Sequence, residues 1–195
     1  MRDRIVRWWR YTWIRETYRD LRDGLKNFIR WAPIIYRDRD WDQHYIYTIL
    51  KTKLEFQAQH IHKNGFHVES ERDAEKMLLC ARLLQAQIDG LYEYEHIDYH
   101  DMEFEFIPTD ETEQLFEMKD IMISESYDEY FAKYPRQYKK VLNGEDTLSK
   151  YLKPGDIMDS NDKHRIAMFI AHENQERSRK LLFKIIEQNI SSWWD

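Results

Sequence analysis

Turn-forming residues are scarce in this chain, and this limits the folds that it can adopt. Only five of its 195 residues are Gly and four are Pro, whereas an all-β chain needs many tight turns built from these residues. Apolar residues recur instead at helical spacing, as in Met77, Ala81, Leu84 and Ile88. We therefore predict a mainly α protein: an irregular helical bundle with an amphipathic basic N-terminal helix and room for one short strand or hairpin.

Charge is distributed unevenly along the chain. Residues 1–31 hold nine Lys or Arg against four acids, a net charge of +5, and residues 89–130 hold fifteen acids against one Lys, a net charge of −14. We predict a basic aromatic arm over residues 1–33 and a helical core domain over 34–195 that contains the acidic middle segment 89–130. Opposite charges on one chain favour self-association or an internal clasp as well as a foreign partner.

The N-terminal arm combines tryptophans with arginines on a predicted helix that Pro33 ends. We expect Trp8, Trp9, Trp13 and Arg10 to form an interface with another part of the protein or with a second copy. Contact with an anionic membrane surface is an alternative for a basic helix rich in Trp. Nucleic acid is a further alternative, although the composition carries no strong nucleic-acid signal.

Cysteine usage and hydropathy indicate the compartment. Cys80 is the only cysteine, so neither an internal disulfide nor a cysteine-based zinc cluster can form, and we interpret Cys80 as a small packed hydrophobe. The N-terminus lacks a continuous apolar stretch, and no run of 18 apolar residues occurs. These features predict an intracellular protein in a reducing compartment.

Several local patterns predict where helices begin and end. The stretch "RDRDWD" (37–42) is interpreted as the start of a helix capped by Asp40 or Asp42 and closed by Asn64-Gly65, with an Arg-lined binding rim as the alternative. Ser70 and Asp73 resemble a capping box.

The acidic middle segment carries two further patterns. The alternation in "MEFEFI" (102–107) is typical of a short strand. Asp110 is interpreted as the cap of a helix that continues through Leu115, Met118 and Met122.

The last predicted helix runs from near Ser160 towards Ile190 and carries an interrupted apolar stripe. Asn174 and Arg177 stand where apolar residues should continue between Ile170 and Leu181, and burying a polar group costs several kcal/mol unless it is paired. Arg177 then pairs with an acid of the middle segment, or a pocket holds an anionic ligand. The pocket residues would be Arg177, Asn174, His172 and Arg165.

A metal site is the weaker hypothesis. Glu93, His96 and His100 have the spacing of carboxylate and imidazole ligands on a helix, but a second such motif is missing from the sequence, and a solvated acidic face explains them as well. The motifs of nucleophilic catalysis and of phosphate-binding loops are also missing. The sequence therefore favours a binding protein without metal or cofactor over an enzyme.

Three segments together carry a family resemblance. The runs "YRDRDWDQHYIYTILKTKLEFQAQHI", "GFHVESERDAEKMLLCARLL" and "ENQERSRKLLFKIIEQNISSWWD" resemble an uncharacterised family of small bacteriophage proteins. The resemblance implies a phage product in the host cytoplasm or a minor virion or scaffold component.

For this chain we expect a non-enzymatic binding protein that acts inside the host cell. It would mask a host or defence protein, or sequester a small anionic ligand such as a signalling nucleotide. A helical metal-dependent enzyme that uses Glu93, His96 and His100 is the alternative, together with the virion or scaffold role.

Overall fold

The computed structural model describes residues 13–37, 43–65, 68–109, 116–152 and 161–194. Within this described part the protein is mainly α-helical with one two-stranded antiparallel sheet, which confirms the predicted fold class. Contacts divide the chain into two compact units, 1–49 and 50–195. The division falls inside a helix, and the arm boundary expected after residue 33 stays a prediction.

The elements follow one another in this order: α1 Trp13–Arg37, α2 Gln43–Asn64, α3 Ser70–Ile88, α4 Leu91–Tyr94, β1 His100–Pro108, β2 Phe116–Glu125, α5 Tyr127–Lys133, α6 Pro135–Leu142 and α7 Lys163–Asn189. Short 3-10 turns cover Glu95–Tyr99, Ser149–Tyr151 and Ser192–Trp194. No helix of the described part is long and apolar enough to cross a membrane.

The expected helix end at Pro33 is wrong. Helix α1 contains Pro33 and continues to Arg37. A proline has a helical φ angle and removes a single backbone N–H donor, and here that loss falls close to the C-terminal end, where the following residues complete only one more turn. The helix therefore continues past Pro33.

Helix α2 ends where the sequence predicts. Gly65 adopts a left-handed φ of 58° directly after Asn64, a conformation that glycine enters without steric cost. Leu54, Ala58 and Ile61 are buried at helical spacing. The predicted caps Asp40 and Asp42, with Trp41, lie outside the described residues.

The predicted capping box of α3 does not form. Ser70 is already the first helical residue, and the N-cap residue Glu69 makes no side-chain cap hydrogen bond. A hydroxyl inside the first turn cannot take the N-cap role, which belongs to the residue before the helix. Cys80 is fully buried on this helix, and burial raises the pKa of its thiol to about 11. Its predicted packing role is confirmed.

Helix α7 is the central element of the unit 50–195. Its second half runs antiparallel to α3: the Gln87 side chain donates to the Gln175 carbonyl oxygen at 3.2 Å, and Lys76 donates to Asn189 at the opposite end. Its first half packs against an aromatic cluster formed by α5, α6 and their neighbours; the buried members are Tyr127, Tyr130, Phe131, Val141, Ile166, Ala167, Phe169 and Ile170. The two halves of α7 are therefore buried by different parts of the protein.

The C-terminal segment packs against α2. Trp193 is buried, and the Gln57 side chain donates to its carbonyl oxygen at 3.5 Å. The side chain of Trp194 lies outside the description.

The sheet is a hairpin in which β1 and β2 pair from His100 opposite Glu125 to Pro108 opposite Phe116. The strand predicted over 102–107 is confirmed. The helix predicted after Asp110 is wrong, because Phe116–Glu125 is a strand; residues 110–115 lie outside the described part. Pairing with a partner strand overrides the weak local preference of such a segment, since strand formation depends strongly on cross-strand neighbours.

Candidate anion-binding groove

A groove of about 450 Å³ opens beside the second half of α7. Its other walls come from α3, which contributes Leu83, from α4, which contributes Tyr92, and from Tyr134 and Gln137 at the start of α6. The helix α7 contributes Asn174, Arg177, Ser178, Lys180 and Leu181. All of these residues belong to the unit 50–195.

The buried face of α7 changes from apolar to polar at the groove. Ile166 and Ile170 are fully buried, and the next positions at four-residue spacing are Asn174 and Ser178, which are 7% and 8% exposed. Leu182 then restores an apolar residue. Residues four apart lie on one helix face, so two polar side chains interrupt a buried stripe.

Arg177 does not lie on the packed side, where the sequence placed it. Its side chain is exposed at the rim of the groove, and it makes no ion pair with any residue that the structure describes. The covered face of α7 rotates along the helix, because the aromatic cluster surrounds the first half and α3 covers the second. No described acid of the middle segment pairs with Arg177, and residues 110–115 of that segment lie outside the described part.

Five buried polar atoms meet no partner among the described residues, and three of them are Nδ2 of Asn174, Oγ of Ser178 and the hydroxyl of Tyr130. Burial raises the pKa of Tyr130, and the nearby Asn174 amide opposes this shift, so these two groups lie next to each other. A buried polar group without a hydrogen bond costs about 1–3 kcal/mol. Such groups are few in folded proteins and need a specific explanation.

The orientation of the Asn174 amide determines which of these atoms can form a hydrogen bond with each other. The Tyr130 hydroxyl needs an acceptor for its hydrogen, and an amide nitrogen cannot accept. Turning the Asn174 amide by about 180° gives the Tyr130 hydroxyl an oxygen as its acceptor, and the NH₂ group then needs a different partner. Asn174 and Ser178 both line the groove, and an amide N–H and a hydroxyl are groups that donate to anions.

The charge of the groove is positive, although the whole chain carries a net charge of −6. Arg177 and Lys180 line it, and no described acidic side chain does. The nearest carboxylate partner, Glu176, accepts from Arg179 at 2.8 Å and lies 4.0 Å from Lys180. Arg177, which makes no ion pair with a described residue, remains available for an anionic ligand at the rim, while Lys180 has a long ion pair with Glu176.

Two aromatic rings add an apolar surface. Tyr92 and Tyr134 line the groove, and the Tyr134 hydroxyl donates to Glu95 at 2.7 Å. Burial, with the hydrogen bond to Glu95, raises the pKa of Tyr134 to about 12. The Tyr134 hydroxyl is therefore neutral and donates to Glu95, and the Tyr134 ring remains available for apolar contact in the groove.

A larger cavity of about 740 Å³ lies further along α7, beside Phe183 and Glu187. Its described walls come from α7 alone. A binding site needs polar groups that converge from several elements, so the smaller groove is the better candidate.

The structure brings together only half of the predicted pocket. Asn174 and Arg177 line the groove, but His172 and Arg165 do not. His172 lies two residues before Asn174, and residues at that spacing do not share a helix face. Arg165 lies in the first turn, where its guanidinium stands 5.8 Å from the centre of the Phe169 ring. The pocket residues that the sequence did not indicate are Tyr92, Tyr134, Gln137, Ser178 and Lys180.

A histidine cluster lies at the base of the hairpin. The ring centres of His100 and His164 are 5.1 Å apart, and those of His96 and His164 are 5.9 Å apart. The Tyr127 hydroxyl lies between two imidazoles, 2.8 Å from Nδ1 of His100 and 2.6 Å from Nδ1 of His164. Burial and the neighbouring imidazoles lower the pKa of His96 and of His164.

This cluster differs from the metal site that the sequence indicated. His96 and His100 do meet, but Glu93 contributes only its backbone carbonyl, 2.9 Å from Nδ1 of His96, while its side chain is exposed. The third imidazole, His164, comes from a distant helix and carried no local signal. In the part of the chain that the structure describes, no three His, Cys, Asp or Glu side chains are placed to hold a metal ion.

The predicted aromatic interface falls largely outside the description. Trp8, Trp9 and Arg10 lie outside the described residues, and Trp13 is described only as the first residue of α1. These four residues therefore stay a prediction.

Neither a protein family, nor a curated protein, nor a solved structure matches the chain.

Proposed function

We propose that this protein is a binding protein that holds a small anionic ligand in the groove beside α7. The observation that carries the proposal is the pair of buried, unpartnered side chains, Asn174 and Ser178, below two cations. A phosphate or carboxylate would accept hydrogen bonds from these groups and pair with Arg177, whose guanidinium suits bidentate contact with either anion.

The size and lining of the groove favour a nucleotide. About 450 Å³ falls within the range of small-molecule sites, which extends over roughly 300–1,000 Å³. The rings of Tyr92 and Tyr134 offer contact to a flat base, while Arg177 and Lys180 would face its phosphates. With the resemblance to bacteriophage proteins, we place this activity in the cytoplasm of an infected cell, where sequestering a signalling nucleotide would weaken a host response.

The test measures binding to the full chain by calorimetry and by thermal shift. The probes are inorganic pyrophosphate, adenosine mono- and triphosphate, and a cyclic dinucleotide. We expect at least one nucleotide to bind, and Arg177→Ala to weaken that binding about 10- to 100-fold, because a hydrogen bond to a charged group contributes about 1.5–3 kcal/mol.

Arg179→Ala is the matched control. It removes the same charge two residues away on α7, but Arg179 pairs with Glu176 and does not line the groove, so the variant should keep wild-type affinity. Absence of binding for every probe at millimolar concentration would reject the proposal. Equal losses in both variants would also reject it, since they would indicate a general effect of charge.

A further inference from the structure

The hairpin has one apolar face. Residues paired directly across two strands point to the same side of a sheet, and the register pairs Met102 with Met122, Phe106 with Met118, and Pro108 with Phe116. Phe104 lies on the same side as Met102 and Phe106 because side chains alternate along a strand. We call this surface the apolar hairpin face: Met102, Phe104, Phe106, Phe116, Met118 and Met122. Asp120, which pairs with Phe104, is the charged residue on the same side.

This face is uncovered. Phe106 is 64% exposed and Met118 is 56% exposed, and every residue of β2 is exposed. A two-stranded sheet alone is marginally stable in water, and a contiguous exposed apolar patch marks an interaction site. The hairpin therefore needs an apolar partner surface.

Charge decides which partner fits. The two strands carry six acidic residues against Lys119, a net charge of −5. Asp120 lies on the apolar hairpin face opposite Phe104, and stacking two such faces would bring two Asp120 carboxylates into an apolar contact, which opposes association. The partner surface should be both apolar and basic.

Helix α1 has these two properties on its own surface. Exposed apolar residues recur on it at three- and four-residue spacing, and Leu21 is 71% exposed; the stripe consists of Tyr18, Leu21, Leu25, Phe28 and Ile35. At about 100° per residue, the five basic residues that flank one side of this stripe are Arg15, Arg19, Arg22, Lys26 and Arg30. Over Trp13–Arg37 the net charge is +3.

We propose that α1 of one copy of this chain docks on the apolar hairpin face of a second copy. The dimensions agree: the stripe from Tyr18 to Ile35 spans about 26 Å at a rise of about 1.5 Å per residue, and nine strand residues span about 30 Å. Two strands form a surface about 10 Å wide, which accommodates one helix. A single type of contact then covers both exposed apolar surfaces and brings opposite charges together.

The test uses two complementary variants of the full chain. Phe104→Ser/Phe106→Ser loses the hairpin face and keeps α1, while Leu21→Ser/Leu25→Ser loses the α1 stripe and keeps the hairpin. In sedimentation velocity at micromolar concentration, we expect wild type to associate and each variant alone to be monomeric. An equimolar mixture of the two variants should form a heterodimer, because each copy supplies the surface that the other lacks.

The other arrangements give different results, and each would overturn the proposal. A Phe variant that still associates indicates contact between two α1 helices, and a Leu variant that still associates indicates contact between two hairpins. A monomeric wild type indicates that no second copy docks. Monomeric wild type that cosediments with phosphatidylglycerol vesicles would assign α1 to a lipid surface.

The matched control removes apolar residues from the opposite side of the same hairpin. Ile107 and Ile121 lie on the charged face by the register, so Ile107→Ser/Ile121→Ser should associate as wild type does. Salt gives a measurement that does not depend on variants: raising NaCl from 50 to 500 mM should weaken association several-fold, because screening reduces attraction between opposite charges. Association that strengthens with salt would contradict the charge argument.

Discussion

Glu173 and Asn174 are neighbours on α7, and both are buried, but their surroundings differ. The Glu173 carboxylate accepts from Lys140 at 2.8 Å and from the Thr147 backbone N–H at 2.7 Å, with a further hydrogen bond from the Thr147 hydroxyl. Nδ2 of Asn174 has no partner in the described part of the chain. One residue has a complete set of protein partners, and the other faces a groove.

The difference separates a structural role from a binding role. A buried carboxylate with its hydrogen bonds satisfied ties α7 to α6 and to the turn at Thr147, and it adds nothing that a ligand could use. An unsatisfied amide reduces stability until something pairs with it. Sites that bind ligands often keep such a local cost because function requires it.

The largest expected effect comes from removing the satisfied group. Glu173→Ala should lower the free energy of unfolding by about 2–4 kcal/mol, because it removes charged hydrogen bonds and leaves the Thr147 N–H without its acceptor. Glu176→Ala is the control on the same helix, and its more exposed pair with Arg179 should contribute less than about 1 kcal/mol. Equal losses in urea denaturation would remove the distinction between the two residues.

Acid should weaken the Glu173 contact selectively. Burial alone would raise the pKa of Glu173, but hydrogen bonds from Lys140 and Thr147 outweigh burial and lower the pKa from 4.5 to about 2. A carboxyl whose folded pKa lies below its unfolded value contributes stability that is complete above the unfolded pKa. We therefore expect this contribution to be lost as the pH falls from about 4.5 to about 2.

The pH measurement compares wild type with Glu173→Gln, which retains the shape but cannot ionise. The stability of wild type should decrease more steeply than that of Glu173→Gln over this acidic range. Parallel curves would show that Glu173 does not carry the effect.

The smallest change in stability is expected at Asn174, whose NH₂ group is unsatisfied. Asn174→Leu should change the free energy of unfolding by no more than about 1 kcal/mol in either direction, because removing a buried unpaired NH₂ group offsets the loss of an acceptor for the Tyr130 hydroxyl. The same variant should lose nucleotide binding in calorimetry. A loss of more than about 2 kcal/mol would show that Asn174 is a structural residue like Glu173.

Prediction from the sequence succeeded where short-range chemistry determines the structure. Gly65 closes α2 because few other residues adopt its left-handed backbone angle, and Cys80 is buried because it lies on an apolar helix face. Asn174 was recognised as an unusual residue from the interruption of a stripe. In each case the signal lies within one or two helical turns of the residue.

Prediction failed where distant segments decide the outcome. Residues 116–125 form a strand because β1 pairs with them, and no local pattern contains that information. Arg177 lies at the rim because the neighbours of α7 change along its length, from the aromatic cluster to α3. The buried side of the helix at Ile170 therefore does not predict which side is buried at Arg177.

The sequence by itself determined that this chain is helical, that its two charge poles are opposite and that Asn174 interrupts the apolar stripe of the last helix. Only the tertiary structure decided which buried polar group receives partners, since Lys140 and Thr147 reach Glu173 across 33 and 26 residues of chain. It also decided that His164 joins His96 and His100. Helical periodicity is a property of neighbouring residues, whereas hydrogen-bond satisfaction depends on which distant groups the fold brings within about 3 Å.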